Sequence, residues 1–262
     1  MEKEQQIANT LLPDEKIKIR YALLDEIRGF LVLCMVVYHG LLSVYSLLGI
    51  KTADTLFDFF TPSVPFFAGG FICLSGMMCG FSHSNLLRGV KCFAVAIVIT
   101  IVTVLGSEFM GDIAIRFGIL HLLGFSMMFC GLFNFALKRT NKWAGLIIAI
   151  ALFIVFYGVP NDYPDFVGIR NIIPTQWYLN KNLYPLGITA PSFYSADYFP
   201  IFPWFFLFLA GYFLFKFGFI QRFEKIFKPK RIKPLGFLGR HALIIYIVHQ
   251  PIIYLICAPF TL

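Results

Sequence analysis

Several ionisable side chains lie at the edge or in the middle of apolar runs. In IRGFLVLCMVVYHG, Arg28 opens a segment that is almost wholly apolar until His39. Eleven residues advance a helix by about three turns, so both side chains share one face, about 16 Å apart along the axis. Arg28 then belongs at the inner edge of a membrane and His39 at or beyond its middle. A polar side chain there is costly and usually faces a bundle interior or a wet cavity. A neutral imidazole at that depth is suited to general-base work on a hydroxyl or an amine. Asp25, three residues before Arg28, is in reach to orient or pair with it. The plainer reading is a topology-setting arginine and a hydrogen-bonded structural histidine.

A second segment, LGRHALIIYIVHQPIIY, repeats the design. Arg240 and His241 stand at its inner edge, and His249 and Gln250 in its middle. Arg240 and His249 lie on nearly opposite sides of a helix, so they need not serve one pocket. Pro251 invites a bend beside the polar pair. In IRFGILHLLG, Arg116 is at the outer edge and His121 about 7.5 Å inward. In DYFPIFPWFFLFLAG, Asp197 precedes a helix whose start is shaped by Pro200 and Pro203. Trp204 follows, in a position typical of an aromatic-belt anchor. No two histidines stand at i, i+4 on one helix, so no metal site is expected.

These residues must be held by membrane helices. Of the 262 residues 58% are hydrophobic and 14% charged, against about 25% charged in a soluble domain. A span needs roughly 20 apolar residues. Seven stretches qualify: Phe30–Ile50, Pro65–Ser82, Cys92–Met110, Phe117–Leu137, Trp143–Val159, Phe199–Ile220 and Leu235–Leu262. The fold class is all-α, a polytopic transmembrane bundle of about seven spans. Of 22 Lys and Arg residues, only Lys51, Arg116, Arg170 and Lys181 fall on segments that face outward when the N-terminus is inside. That bias predicts N-in and C-out. Residues 1–28 read as a cytoplasmic tail, and 29–262 as one membrane domain. The loop from Pro160 to Tyr198, rich in Pro, Asn, Tyr and Gly, is long enough to be functional or mobile.

The net charge of +8 needs no nucleic acid. The run FEKIFKPKRIKP is most simply a topology determinant on anionic lipid, the alternative being a surface for a phosphorylated cofactor. The six cysteines lie in or beside apolar runs without metal-ligand spacing and read as packed hydrophobes. The oligomeric state, a homodimer included, is left open by the sequence.

Taken in order, LLDEIRG…YHG, PFFAGGFICLSG, IRFGILHLLG, DYFPIFPWFFLFLAG and LGRHALIIYIVHQP resemble bacterial members of the heparan-alpha-glucosaminide N-acetyltransferase catalytic family. The resemblance runs from about Arg20 to Tyr254. The spacing of Arg28 and His39 is also similar to the first helix of membrane O-acyltransferases that modify envelope polysaccharides. The resemblance implies a multi-pass acyltransferase of the bacterial plasma membrane, surrounded by lipid. It would move an acetyl group from cytoplasmic acetyl-CoA to an extracytoplasmic amine or hydroxyl of a small molecule or glycan.

In that picture His39 and His249 are catalytic. Arg28, Asp25, Arg240 and Gln250 belong to the acetyl-CoA side. Arg116, His121, Asp197 and Trp204 belong to the acceptor side. The family's lysosomal member carries a His-Ala-Ser-Trp motif in its first extracytoplasmic loop, and an asparagine where this chain has His39. The matching stretch here, SLLGIKTADTLFDFFTPSVPFF, has no histidine. Either His39 takes that role, as the resemblance to the O-acyltransferases implies, or the chain has another chemistry, and heparan is not carried over as the substrate. The rival readings are a proton-coupled transporter, in which intramembrane His and Arg relay protons, and a non-catalytic protein of the same fold.

Overall fold

The computed structural model describes residues 21–110, 113–227, 229 and 231–260, with the backbone alone for Phe109 and Met110. Its described residues form helices α1 (Ala22–Leu48), α2 (Lys51–Phe60), α3 (Val64–Cys79), α4 (Asn85–Met110), α5 (Ile119–Leu132), α6 (Asn134–Arg139), α7 (Lys142–Phe156), α8 (Ile169–Ile172), α9 (Ile201–Lys216), α10 (Phe219–Arg222), α11 (Glu224–Phe227), α12 (Lys233–Arg240) and α13 (Ala242–Cys257). No strand occurs among the described residues, and a single bridge joins Phe117 and Tyr198. Where water is absent, a backbone that bonds within its own segment is the affordable one.

Each of the seven apolar stretches contains an apolar helix. Four segments are long and apolar enough to cross a membrane: Ala22–Leu48, Lys51–Cys79, Asn85–Glu108 and Ala242–Phe260. Ile119–Leu132, Lys142–Phe156 and Ile201–Lys216 are shorter apolar helices. The chain is an integral membrane protein by these segments. Large apolar side chains line its outer surface, Phe66, Val102, Leu105 and Leu255 among them, as lipid contact requires.

Two boundaries differ from the sequence expectation. Helix α1 begins at Ala22 rather than after Arg28, because Asp25 and Glu26 are buried against the end of the chain instead of being solvated. Of the expected tail, residues 1–20 lie outside the described residues. The last stretch is broken at His241 (φ −104°, ψ 16°) into α12 and α13, and α13 then continues through Pro251. The break therefore lies at the polar edge of the segment, not beside His249.

Helix α9 is the central element. It is apolar on all sides, as a helix surrounded by protein should be, and Trp204, Phe208, Tyr212 and Phe213 are all buried. Phe202 is non-helical (φ −92°, ψ 128°), the extended state that a following proline favours. Helices α3, α5 and α7 pack around α9, with Ile72, Leu122, Met127 and Phe153 in contact with its core. A second cluster joins Leu24 of α1, Leu74 and Met77 of α3, Ile220 of α10 and Phe227 of α11. It defines one end of the bundle. The opposite end carries α2, the segment before α5 and the 157–200 loop.

Glycines let the helix axes approach. A Cβ on Gly29 would collide with Leu235 O of α12, and one on Gly239 with Asp25 O of α1. Small residues at such crossings replace the hydrophobic drive that lipid cannot supply. Gly239→Leu should destabilise the protein by about 3 kcal/mol, the upper part of the overpacking range. Gly49→Ala, at a left-handed helix end with nothing within 4 Å, should cost only about 1 kcal/mol. Thermal unfolding of both variants in one detergent measures the contrast, and equal midpoints would refute the close crossing.

Candidate active site

The site is organised from the loop before α9. Residues 196–199 run beside 114–117. Ala196 N donates to Ala114 O (3.0 Å) and Phe199 N to Phe117 O (3.1 Å). This brings the Asp197 carboxylate to the start of α5, where helical N–H groups lack intrahelical partners. Oδ2 of Asp197 accepts from Ile119 N (3.0 Å) and from the Tyr246 hydroxyl of α13 (2.5 Å). A Cβ on Gly118 would collide with that oxygen, so glycine is the residue that admits it. Burial pushes the Asp197 carboxyl above the usual carboxylate range, opposed by the Tyr246 hydroxyl and the Ile119 amide.

His121 is occupied elsewhere. Its Nδ1 accepts from Gly118 N (3.2 Å), and its Nε2 faces Thr100 Oγ1 (3.3 Å). The Thr100 hydroxyl donates to Ile115 O (2.7 Å), so the histidine proton belongs on Nε2. The ring closes the first turn of α5 and ties it to α4.

A cavity of about 780 Å³ runs between α1, α3, α4 and α13. At the end that carries the start of α1, its wall includes Arg28, Arg88, Lys91 and Arg240. At the opposite end it includes Tyr163, Asp197 and Trp204. His39 and Tyr38 lie on the α1 wall. Arg28 is held by Asp25 Oδ1 (3.1 Å), the i, i+3 pair its spacing predicts, and by Gly239 O (3.3 Å). Among the described residues no carboxylate is within salt-bridge distance of Arg88, Lys91 or Arg240. Four cations around one opening favour a polyanionic group such as a phosphate.

His249 of α13 stands beside His39, with ring centroids 5.3 Å apart. Its Nδ1 is 2.7 Å from Tyr246 O. A carbonyl only accepts, so Nδ1 carries the proton and Nε2 is a bare lone pair. That Nε2 is buried with no hydrogen-bond partner among the described residues. Two imidazoles in contact, one with an unused acceptor, can exchange a proton with each other or with a group in the cavity.

The sequence-derived set is thus brought together in part. His39, Arg28, Arg240, Asp197 and Trp204 share the cavity wall. Asp25 and His249 lie behind it, Asp25 bonded to Arg28 and His249 beside His39. Gln250 ties α13 to α1 by accepting from Ser43 Oγ (3.3 Å). The cavity does not reach His121 or exposed Arg116, which were expected on the acceptor side with Asp197. Trp204 is no interface anchor. It is 2% exposed, and its indole N–H donates to the Tyr163 hydroxyl (3.1 Å).

The heparan-alpha-glucosaminide N-acetyltransferase catalytic family matches the chain over residues 20–251. The chain belongs to this family. No curated protein and no solved structure matches it. Family membership implies membrane acetyltransferase activity in general.

Arg88, Lys91, Tyr163 and Tyr246 line the cavity and were not singled out as site residues by the sequence reading. Arg88 and Lys91 carried a readable signal. With Cys92 and Val95 they form an i, i+3, i+4, i+7 stripe that begins basic and turns apolar. Tyr246 and Tyr163 offered none, since each acts through a partner distant in sequence. Tyr246→Phe should remove the bond to Asp197 without altering packing. A loss of about 1–2 kcal/mol is expected, read as a lower unfolding midpoint in nanodiscs.

Proposed function

We propose that the protein transfers an acetyl group from cytoplasmic acetyl-CoA to an amine or hydroxyl of an extracytoplasmic acceptor, a sugar in the first instance. The observation that carries this reading is one cavity with four cations at one end, the Asp197 carboxylate at the other, and His39 on its wall. The chain would cross a bacterial plasma membrane seven times, N-in and C-out. The cationic end then faces the cytoplasm, and the Asp197 end faces outward. Family membership supports transfer over transport.

In this scheme Arg28, Arg88, Lys91 and Arg240 hold the phosphates of the donor, and its pantetheine arm extends toward His39. The acceptor approaches from the Asp197 end. His39 takes the proton of the attacking amine or hydroxyl as the new N–C or O–C bond forms at the thioester carbonyl. The C–S bond then breaks, and the departing CoA thiolate recovers a proton from the imidazolium. His249 supplies the neighbouring lone pair that spreads the charge on His39. The orphaned Nε2 of His249 supports this role.

The test uses purified protein in nanodiscs with acetyl-CoA labelled on the acetyl group. The native chain should release CoA and transfer label to an amino-sugar acceptor, and His39→Ala should abolish both. A native chain that neither binds nor consumes acetyl-CoA would sink the reading. Arg88→Ala with Lys91→Ala should raise the acetyl-CoA KM about tenfold or more, since each charge-assisted bond is worth about 1.5–3 kcal/mol. The same pair should leave the acceptor KM unchanged.

A further inference from the structure

The 157–200 loop is built around one arginine. Arg170 Nε donates to Gly158 O (3.1 Å), and its Nη2 donates to Pro160 O (3.0 Å) and Tyr163 O (2.7 Å). Asp165 closes the same ring by accepting from Ile169 N and Arg170 N, each at 3.0 Å. Three carbonyls converging on one guanidinium fix residues 158–163 as a rigid bracket. Exposed loops seldom spend an arginine in this way unless the bracket holds something.

What it holds is Tyr163. The ring stacks on Tyr157 (5.3 Å between centroids) and meets Trp204 edge-on (6.0 Å). The Trp204 indole can only donate, so in their 3.1 Å contact the Tyr163 oxygen is the acceptor. The Tyr163 hydrogen is left over, and no acceptor for it occurs among the described residues. Burial pushes the phenol up to about 12, opposed by the Trp204 N–H, so the group keeps that hydrogen at neutral pH. Tyr163 lines the same end of the cavity as Asp197, whose Oδ1 likewise has no hydrogen-bond partner among the described residues. One unused donor and one unused acceptor thus stand beside aromatic rings at this end of the cavity.

We propose that Tyr163 is a specificity-determining residue for the acceptor, its O–H donating to an oxygen of that molecule, and that Arg170 is the positioning residue that holds it there. The inference rests on the acyl-transfer reading for its choice of ligand, a polyhydroxylated amine, and glucosamine is the probe.

The experiment measures two bindings separately, on the full chain in nanodiscs. Glucosamine titration is followed by saturation-transfer NMR, and acetyl-CoA binding by retention of label. Tyr163→Phe keeps the ring and should weaken glucosamine about tenfold while leaving acetyl-CoA binding unchanged. Arg170→Met should weaken glucosamine to a similar extent. The double variant should be no worse than either single one, because Arg170 acts through Tyr163. An additive double loss would reduce Arg170 to a structural role and overturn its part. Native-like glucosamine binding by Tyr163→Phe, or no glucosamine binding by the native chain, would overturn the proposal. Loss of acetyl-CoA binding in the native chain would instead strike the acyl-transfer reading, leaving the glucosamine comparison intact.

Discussion

A carboxylate oxygen taken out of water must find donors, and the donors that Asp197 Oδ2 finds belong to two different helices. One is the first amide of α5, the other the Tyr246 hydroxyl of α13. Since Asp197 itself precedes α9, a single atom sets the relative position of three helices at one end of the cavity. Gly118, the parallel hydrogen bonds of 114–117 with 196–199, and the inward fold of His121 follow from making room for that contact. The cost of burying the carboxylate is offset by the bonds it receives.

The other end of the cavity obeys a different constraint. There the backbones of α1 and α12 nearly touch, at Gly29 and Gly239. That contact puts Arg28 beside the carbonyl of Gly239 and leaves Arg240, the next residue, on the same wall. A small-residue crossing thus brings cations from opposite ends of the sequence to one opening. Repulsion between them is tolerable where an anionic ligand is to arrive. The two ends differ in kind: one is a fixed carboxylate with used and unused oxygens, the other a collar of charges.

Much of this was legible in the sequence because membrane helices leave few choices. Runs of apolar residues located seven apolar helices, four of them long enough to cross a membrane, and a histidine inside such a run marks a polar interior. Helical spacing gave the Asp25–Arg28 pair. Spacing along one helix could not tell which histidine faces a cavity and which completes a cap. His121 and His39 look alike in sequence, and only the neighbours of His121, at Thr100 and Gly118, separate them. Trp204 looked like an interface anchor because tryptophan near a helix start so often is one. Its burial comes from the loop that folds over it, and that loop has no periodicity to read. Arg170, which organises the loop, was seen only as an outward charge.

Two polar groups at the start of α1, Glu26 and Arg28, also bond to residues distant in the sequence. Glu26 Oε1 accepts from the amides of Arg231 (2.8 Å) and Ile232 (3.1 Å), and Arg28 donates to Gly239 O. These contacts join residues more than 200 positions apart in the sequence. Helix α1 therefore carries a buried carboxylate, Glu26, whose hydrogen-bond donors are synthesised more than 200 residues later. Until that segment is made, the Glu26 carboxylate must find its donors in water. Docking of the α12 segment against α1 is thus a late step in assembly, and a chain interrupted before residue 231 lacks the donors that Glu26 uses.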